Sequence, residues 1–512
     1  MRKTRFAKLV SLFLCLTMAL SLSCFSAGAE AEKVVIGLTG DPGNIGPFQG
    51  MGLGRIGILF TTYEFLVTKT NGAMEGVLMK DYTQIDELTY QVEIYDYVYD
   101  QAGNHLTAAD VAWCYETAKA SGNLPKLGSI ESVTVVSDYV AEFKFAALAA
   151  GDLNALLMEC PIVTRAAYEA SPDQMATDPV STSAYSLVEY ASGSKLVYED
   201  KGTYWQKDDS LVRETSKHNI KKIEFDIIVD GAQLTNALKT RAVDVSVFVS
   251  DTDIDDFKAM DGFAVSQVPE NTTELLLFNC DEGSVFADNL ALRQAVAYAI
   301  DSEMLRDGAF GGNGAVVKTY GNTKYADYVE KWNDEEYYEY NPEKAAALFA
   351  ESGVTSANLK LMYMTGDATT KMATIIQALL MPYGVNLELQ GYDQQLFNEY
   401  KYQPDQWDIM LDEGASSSYL VNVFKLGWDN TGYVHGGAEN FVKDEKLQTL
   451  LEAALNEETH NDETMDAFHQ YLKEQCYGIG LVQKLSNVAH TDTIKTLATC
   501  FRGQVIPGAC GY

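Results

Sequence analysis

The sequence predicts an α/β chain built from more than one domain, and three observations carry that reading. Short β-type apolar runs such as VVIGL, TELLLFN and LKLMYM alternate with stretches whose apolar residues recur at three-and-four spacing. That alternation is the pattern of βαβ units in a mostly parallel sheet. At 512 residues the chain exceeds what one hydrophobic core fills. Apolar residues make up 47% of it and prolines number only 11, so it packs rather than staying disordered.

Charge narrows the partners. Lys+Arg number 38 against 72 Asp+Glu, a net −34. Nucleic acid and anionic lipid both demand cationic patches, so neither is an expected partner. Residues 1–29 predict an export signal: a basic start, an apolar run over 9–22 too short to favour a membrane span, and Ala27-Gly28-Ala29 as a cleavage site after Ala29. The competing reading is lipidation at Cys24, which Ser21-Leu22-Ser23 precede with the expected leucine one place early, at Leu20. All four cations before Glu30 lie in this segment, so the rest of the chain is more acidic still.

In chain order, residues 34–38 predict a strand, the Gly- and Pro-rich stretch GDPGNIGPFQGMG a turn, and residues 55–67 a helix ending Tyr63-Glu64-Phe65-Leu66. Gly52-Leu53-Gly54-Arg55-Ile56-Gly57 is a literal G-x-G-x-x-G, but more than ten residues part it from the strand and no acid ends a second strand downstream, so a dinucleotide site is not expected. Tyr90, Val92 and Ile94 alternate as a strand, Ala102-Gly103-Asn104 turns, and Thr107 with Asp110 forms a capping box for the next helix. SVTVVSDYVAEFKF predicts a hairpin around Ser137-Asp138, and residues 220–249 a strand, helix and strand. Residues 251–255 begin like a calcium loop but have Asp256 and Gly262 where Gly and Glu are required, so their acids are expected to cap a helix. Residues 285–305 predict one helix, capped by Asp288 or Asn289, with Leu292, Val296, Ala299, Ile300 and Met304 on its buried face. Asn341-Pro342-Glu343 starts another that ends near Gly353, a helix face over 372–380 stops at Gly384, and strands are expected at 385–389 and 407–411. Helices over 445–455 and 462–474 lead to the final apolar run.

The residues point away from catalysis. The six histidines carry no H-E-x-x-H spacing, no G-x-S-x-G occurs, and His435-Gly436-Gly437 lacks an accompanying serine elbow. No cofactor is expected.

The wording of several segments resembles the bacterial extracellular solute-binding proteins of family 5, the oligopeptide- and dipeptide-binding components of ABC importers. The match is sharpest at LRQAVAYAID in residues 285–305. It extends to Tyr63-Glu64-x-Leu66, to residues 106–111, to NPEKAAAL and to Tyr204-Trp205 of a segment the family usually writes GTGPY…N-x-x-Y-W. Ser181, Ser183 and Ala184 depart from that pattern's Gly, Gly and Pro. The resemblance implies a two-lobed periplasmic-binding-protein-like fold of type II, with a hinge between the lobes and an extra domain in lobe one. Residues 30–67, 178–272 and 486–512 would form the core of lobe one, 68–177 its extra α/β domain, and 273–485 lobe two.

It also implies a function. Two lobes close on a small solute, most naturally an oligopeptide or dipeptide, and deliver it to a membrane permease driven by an ATPase. The protein would be an exported monomer, periplasmic or at the outer face of the membrane. In relatives the loop around Gln49 to Met51 lines the cleft, and an aspartate anchors the peptide amine. Here that position falls at or near Ser416, and Asp412 or Glu413 would supply the charge instead. Trp407, Tyr419 and Tyr320 offer aromatic faces. The alternative is a receptor of the same fold for a sugar, another metabolite or a chelated metal, or for signalling. Under the implied domain scheme the cysteines group within lobes as Cys114 with Cys160, Cys280 with Cys476 and Cys500 with Cys510; six free thiols are the other reading.

Overall fold

The computed structural model describes residues 31–50, 55–70, 73–246, 249, 251–414, 419–430, 438–500 and 504–512. The export segment with Cys24 and Ala29, the loop residue Met51, the first glycines of the G-x-G-x-x-G, Ser416 and His435 to Gly437 lie outside the described residues.

One eleven-stranded sheet runs the length of the molecule. Its strands in chain order are β1 (Ala31–Leu38), β2 (Tyr185–Ala191), β3 (Lys195–Asp200), β4 (Ile220–Ile227), β5 (Val245–Ser246), β6 (Phe263–Phe278), β7 (Gly314–Val316), β8 (Ala357–Met364), β9 (Val385–Tyr392), β10 (Ile409–Glu413) and β11 (Gly478–Thr491). Their spatial order is β2-β3-β4-β1-β5-β11-β6-β10-β8-β9, with β7 beside β11. The sheet is mixed, not mostly parallel. Parallel pairs form the centre of each half, β4-β1-β5 in one and β9-β8-β10 in the other. The edge hairpin and the strands that join the halves are antiparallel. βαβ alternation dictates parallel pairing only between strands linked by a crossover helix, and β6 and β11 are not so linked.

Among the described residues, only β6 and β11 span both halves. At 16 and 14 residues, each is about 50 Å long at roughly 3.3 Å per residue. The last residues of β6 pair with β10 and those of β11 pair with β5, so two lobes hang on two strands. Near the crossing their register slips, from Pro269 opposite Leu485 to Thr273 opposite Gln483. Such an irregularity bends a ladder locally and suits a hinge.

Period-two alternation gives each lobe a core on both faces of its sheet. Leu276 and Phe278 of β6 join Leu361, Ile409 and Leu411 under one layer of helices, whereas Leu275 and Leu277 join Met362 and Met410 under the other. In β1, Val34, Ile36 and Leu38 face one core and Val35 the opposite one. Residues 79–145 add a separate four-stranded antiparallel sheet over the helix α1 (Ala108–Ser121), which the Thr107–Asp110 capping box starts and Gly122 ends at φ 72°.

Two helices differ from expectation. The helix before Tyr63 covers only Ile56–Thr62, because Tyr63 is extended and Glu64-Phe65 pairs with Pro161-Ile162. Glu64 is buried there, accepting hydrogen bonds from Tyr204, from Trp205 Nε1 at 2.7 Å and from Ser216 Oγ at 3.0 Å. The two segments that carry the Tyr-Glu and Tyr-Trp motifs therefore meet in one clasp. The 285–305 stretch is two helices, α2 (Leu290–Ala299) and α3 (Ser302–Phe310). Ile300 is extended and Asp301 caps the second helix, which turns Met304 out to solvent at 48% exposure.

The six described cysteines form no disulfide with one another, so the paired reading gives way to single thiols. Cys114 donates to Val163 O at 3.2 Å, Cys280 to Phe278 O at 3.3 Å and Cys510 to Ile506 O at 3.7 Å. Burial pushes the Cys280 and Cys476 thiols up to about 12, leaving little thiolate at neutral pH. Among the described residues no helix is long and apolar enough to cross a membrane.

Candidate functional site

Where the hinge strands leave the crossing, β10 lies against β6 with Glu413 opposite Glu274 and Asp412 opposite Leu275. Two like charges directly opposite in a ladder repel. Lys484 of β11 resolves this pair, its Nζ lying 2.9 Å from Glu274 and 3.1 Å from Glu413. Burial opposes the Lys484 charge, but the two carboxylates hold the ammonium above the ordinary lysine range. Glu274, 1% exposed, moves the other way: burial raises its carboxyl and Lys484 offsets this only in part.

A second cluster backs the first. Lys401 Nζ lies 2.5 Å from Asp412 and 2.8 Å from Glu439. Burial again opposes its charge, and Asp412 and Glu439 outweigh burial. Burial raises the Glu439 carboxyl. Four carboxylates thus surround two ammonium groups where β10 meets the hinge strands, an excess of negative charge.

The expected aromatic residues divide. Trp407 is 1% exposed, its Nε1 donating to Lys401 O at 3.1 Å, so it shapes the loop that presents Lys401. Tyr320 is equally enclosed, its ring 5.1 Å from that of Trp428. Both rings lie inside lobe two and neither faces solvent. Tyr419 is half-buried and stands opposite Gly151 of the small domain, where an added Cβ would meet its ring at 2.3 Å. Gln49 is exposed, and its carbonyl accepts from Arg55 at 2.7 Å. Asn123 Nδ2 donates to the neighbouring Phe48 O at 3.0 Å, tying that loop to the small domain.

The small domain also reaches lobe two. Ala150 N donates to Leu455 O at 3.0 Å, and Asn422 Nδ2 to Ala150 O at 3.4 Å. Beside this contact is a cavity of about 380 Å³, lined by Lys126, Asp152 and Leu156 on one side and by Asn422, Lys425 and Leu426 on the other. Burial raises the Asp152 carboxyl there, against the pull of Lys425.

Glu274 and Lys484 escaped sequence reasoning although each is a charge inside an apolar strand, which is a readable signal. Lys401 and Glu439 carry no such signal, because they lie in polar stretches. Among the described residues no group of three or more His, Cys, Asp or Glu side chains is arranged to hold a metal ion.

Comparison with known proteins gives the arrangement a family. The chain is 22% identical over 365 residues to a dipeptide-binding protein of Escherichia coli, covering 68% of this chain and 64% of that one. It is 22% identical over 469 residues to a nickel-binding protein of Staphylococcus aureus, covering 90% and 86%. In structure it is similar to HbpA2 from Haemophilus parasuis, with a TM-score of 0.81, 18% identity, and 93% and 98% of the two chains covered. The model of the bacterial extracellular solute-binding proteins, family 5 (Middle), matches residues 73–432, well over half of the chain. This protein, with its two lobes on two hinge strands, belongs to that family.

Proposed function

We propose that this chain is the binding component of an ABC importer, exported from the cell, that captures a short peptide by its cationic amine and passes it to a membrane permease with its ATPase. The observation that carries the peptide reading is the acidic excess at the hinge-side end of β10, where Glu274, Asp412, Glu413 and Glu439 outnumber Lys401 and Lys484. An ammonium entering that space adds the missing positive charge, and partial burial strengthens the attraction. In the proposed site Glu413 is the more accessible acid and Asp412 is held behind it. Gln49 and Tyr419 line the proposed cleft, and Tyr320 and Trp407 form its rigid backing. The lobe boundaries read from the sequence, the cut after Ala29 and its rival lipidation at Cys24 belong to the same proposal.

Closure follows from linkage: only the shut form makes contacts from both lobes, so solute favours it. Native mass spectrometry of gently purified protein tests the reading. A population of short-peptide masses supports it; one non-peptide mass, such as a metal chelate, replaces it. Asp412→Asn with Glu413→Gln is expected to weaken binding of an amine-bearing peptide roughly tenfold or more by calorimetry. Unchanged affinity would remove both acids from the site.

A further inference from the structure

Lobe one carries a second concavity, of about 840 Å³, at its far end. Register fixes that position. β11 enters from lobe two and runs antiparallel to β5, which is parallel to β1, so the end of β1 points toward lobe two and its start points away. The start of β2 and the end of β3 meet as Tyr185 opposite Asp200, and the end of β3 lies toward the start of β4, with Glu199 opposite Lys222. Thr182 precedes β2 and Lys201 follows β3, so the concavity they line lies on the side opposite the hinge. Its other wall is residues 97–101 of the small domain.

Two polar groups there lack partners among the described residues. The Thr182 hydroxyl, on a residue 1% exposed, makes no hydrogen bond. That oxygen is itself closed to solvent, so it lies behind the wall of the concavity. The half-buried Lys201 ammonium is not within ion-pair distance of any described carboxylate. Its acidic neighbours are occupied elsewhere: Glu64 by Tyr204, Trp205 and Ser216, and Asp100 by the amides of Ala102 and Asn104, the Asn104 side chain and Thr164. Burial lowers the Lys201 pKa despite those acids. The resemblance pattern N-x-x-Y-W would have Asn at this position.

Aromatic faces stand around the concavity. Tyr97 and Tyr99 are 41% and 49% exposed, Trp205 lies 5.9 Å from Tyr97, ring to ring, and His105 stacks on one face of Tyr99 at 4.4 Å, leaving the other. Open aromatic faces beside the unpaired Lys201 donor suit a ligand whose ring has an apolar face and a rim of hydroxyl acceptors. An anion is disfavoured by Glu64, Asp100 and Asp200 nearby, and a cation by Lys201 itself.

We infer that this concavity is a second ligand site, separate from the interlobe cleft, that binds a neutral oligosaccharide, with Tyr97 and Tyr99 stacking on sugar rings and Lys201 donating to hydroxyl oxygens. The test is saturation-transfer NMR on the intact exported protein with maltotriose, cellotriose and tri-N-acetylchitotriose, followed by calorimetry with whichever binds. Tyr97→Ala with Tyr99→Ala, both exposed, is expected to weaken that binding at least tenfold while cleft-bound solute stays unchanged. Binding of none of the three sugars at about 10 mM, a range that still detects millimolar affinity, overturns the inference. So does saccharide binding that the tyrosine variant leaves intact, or saturation by benzoate in place of the sugars. None of these results bears on the cleft, whose solute is read separately by native mass.

Discussion

His469 is stacked on Trp332 with ring centroids 4.1 Å apart, and neither of its nitrogens has a hydrogen-bond partner. Burial holds its pKa down to about 3. The folded protein therefore keeps this ring neutral while the unfolded chain protonates it near the ordinary 6.5. The folded-state value is depressed, so the stabilisation is complete above about pH 6.5 and is lost as pH falls toward 3, at up to about 1.4 kcal/mol per pH unit. His469→Phe keeps the aromatic stack and removes the proton site. Urea unfolding at a series of pH values is expected to show a shallower acid-side slope for the variant, with stability at neutral pH equal or higher. The sequence placed this residue on a helix but gave no hint of its burial, since the Trp332 that covers it lies far away along the chain. Glu274 and Lys484 were more legible, as charges among apolar neighbours that demand partners. Which partners they take was not, because that depends on the register of β6, β10 and β11.

At the scale of elements, local chemistry was readable and pairing was not. The Thr107–Asp110 box, the Asn341-Pro342 start and the Gly353 stop each act through side chains or φ values within a few residues, and each is realised. The break between α2 and α3 was misread because apolar spacing continues through it, although Asp301-Ser302-Glu303 is itself a helix-start signal. Asp301 accepts from Met304 N at 3.0 Å, and the chain turns there so that Leu305 and Phe310 reach the core. Asp301→Ala is expected to lower stability by about 1 kcal/mol, the usual cost of losing such a cap. Denaturant titration checks this, with Asp301→Asn as the variant that keeps the acceptor and restores most of the loss. A second anchor explains why the preceding helix holds its place: the buried Arg293 donates to Ala287 O and Gln475 O, both at 2.9 Å. The mixed sheet was missed for the opposite reason, since β6 and β11 pair across about two hundred residues.

At the scale of the molecule, the resemblance conveyed two lobes and a hinge, but not the contact by which the small domain seats on lobe two. That contact joins Ala150 to Leu455 and Gly151 to Tyr419, residues whose separation in sequence hides them from any local pattern. Gly151 is decisive in it. Its φ of 78° suits glycine, and its missing Cβ makes room for the Tyr419 ring. Gly151→Ala puts a methyl group into that ring, so it is expected to disfavour the shut form and shift the lobes apart. A penalty of about 1.4 kcal/mol would change the open-to-shut ratio tenfold. Solution scattering is expected to give a larger radius of gyration for this variant and weaker solute binding. The methyl group also strains the backbone at a positive φ, which would destabilise the small domain without opening the hinge. Tyr419→Ala placed on top of Gly151→Ala separates the two effects: it restores space for the methyl group and leaves the strain. If contact with lobe two governs closure, the double variant regains the compact profile; if strain alone acts, the second substitution changes nothing. The same pair bears on cargo, because a lobe held ajar loses contacts from one wall and its affinity must fall with its compactness.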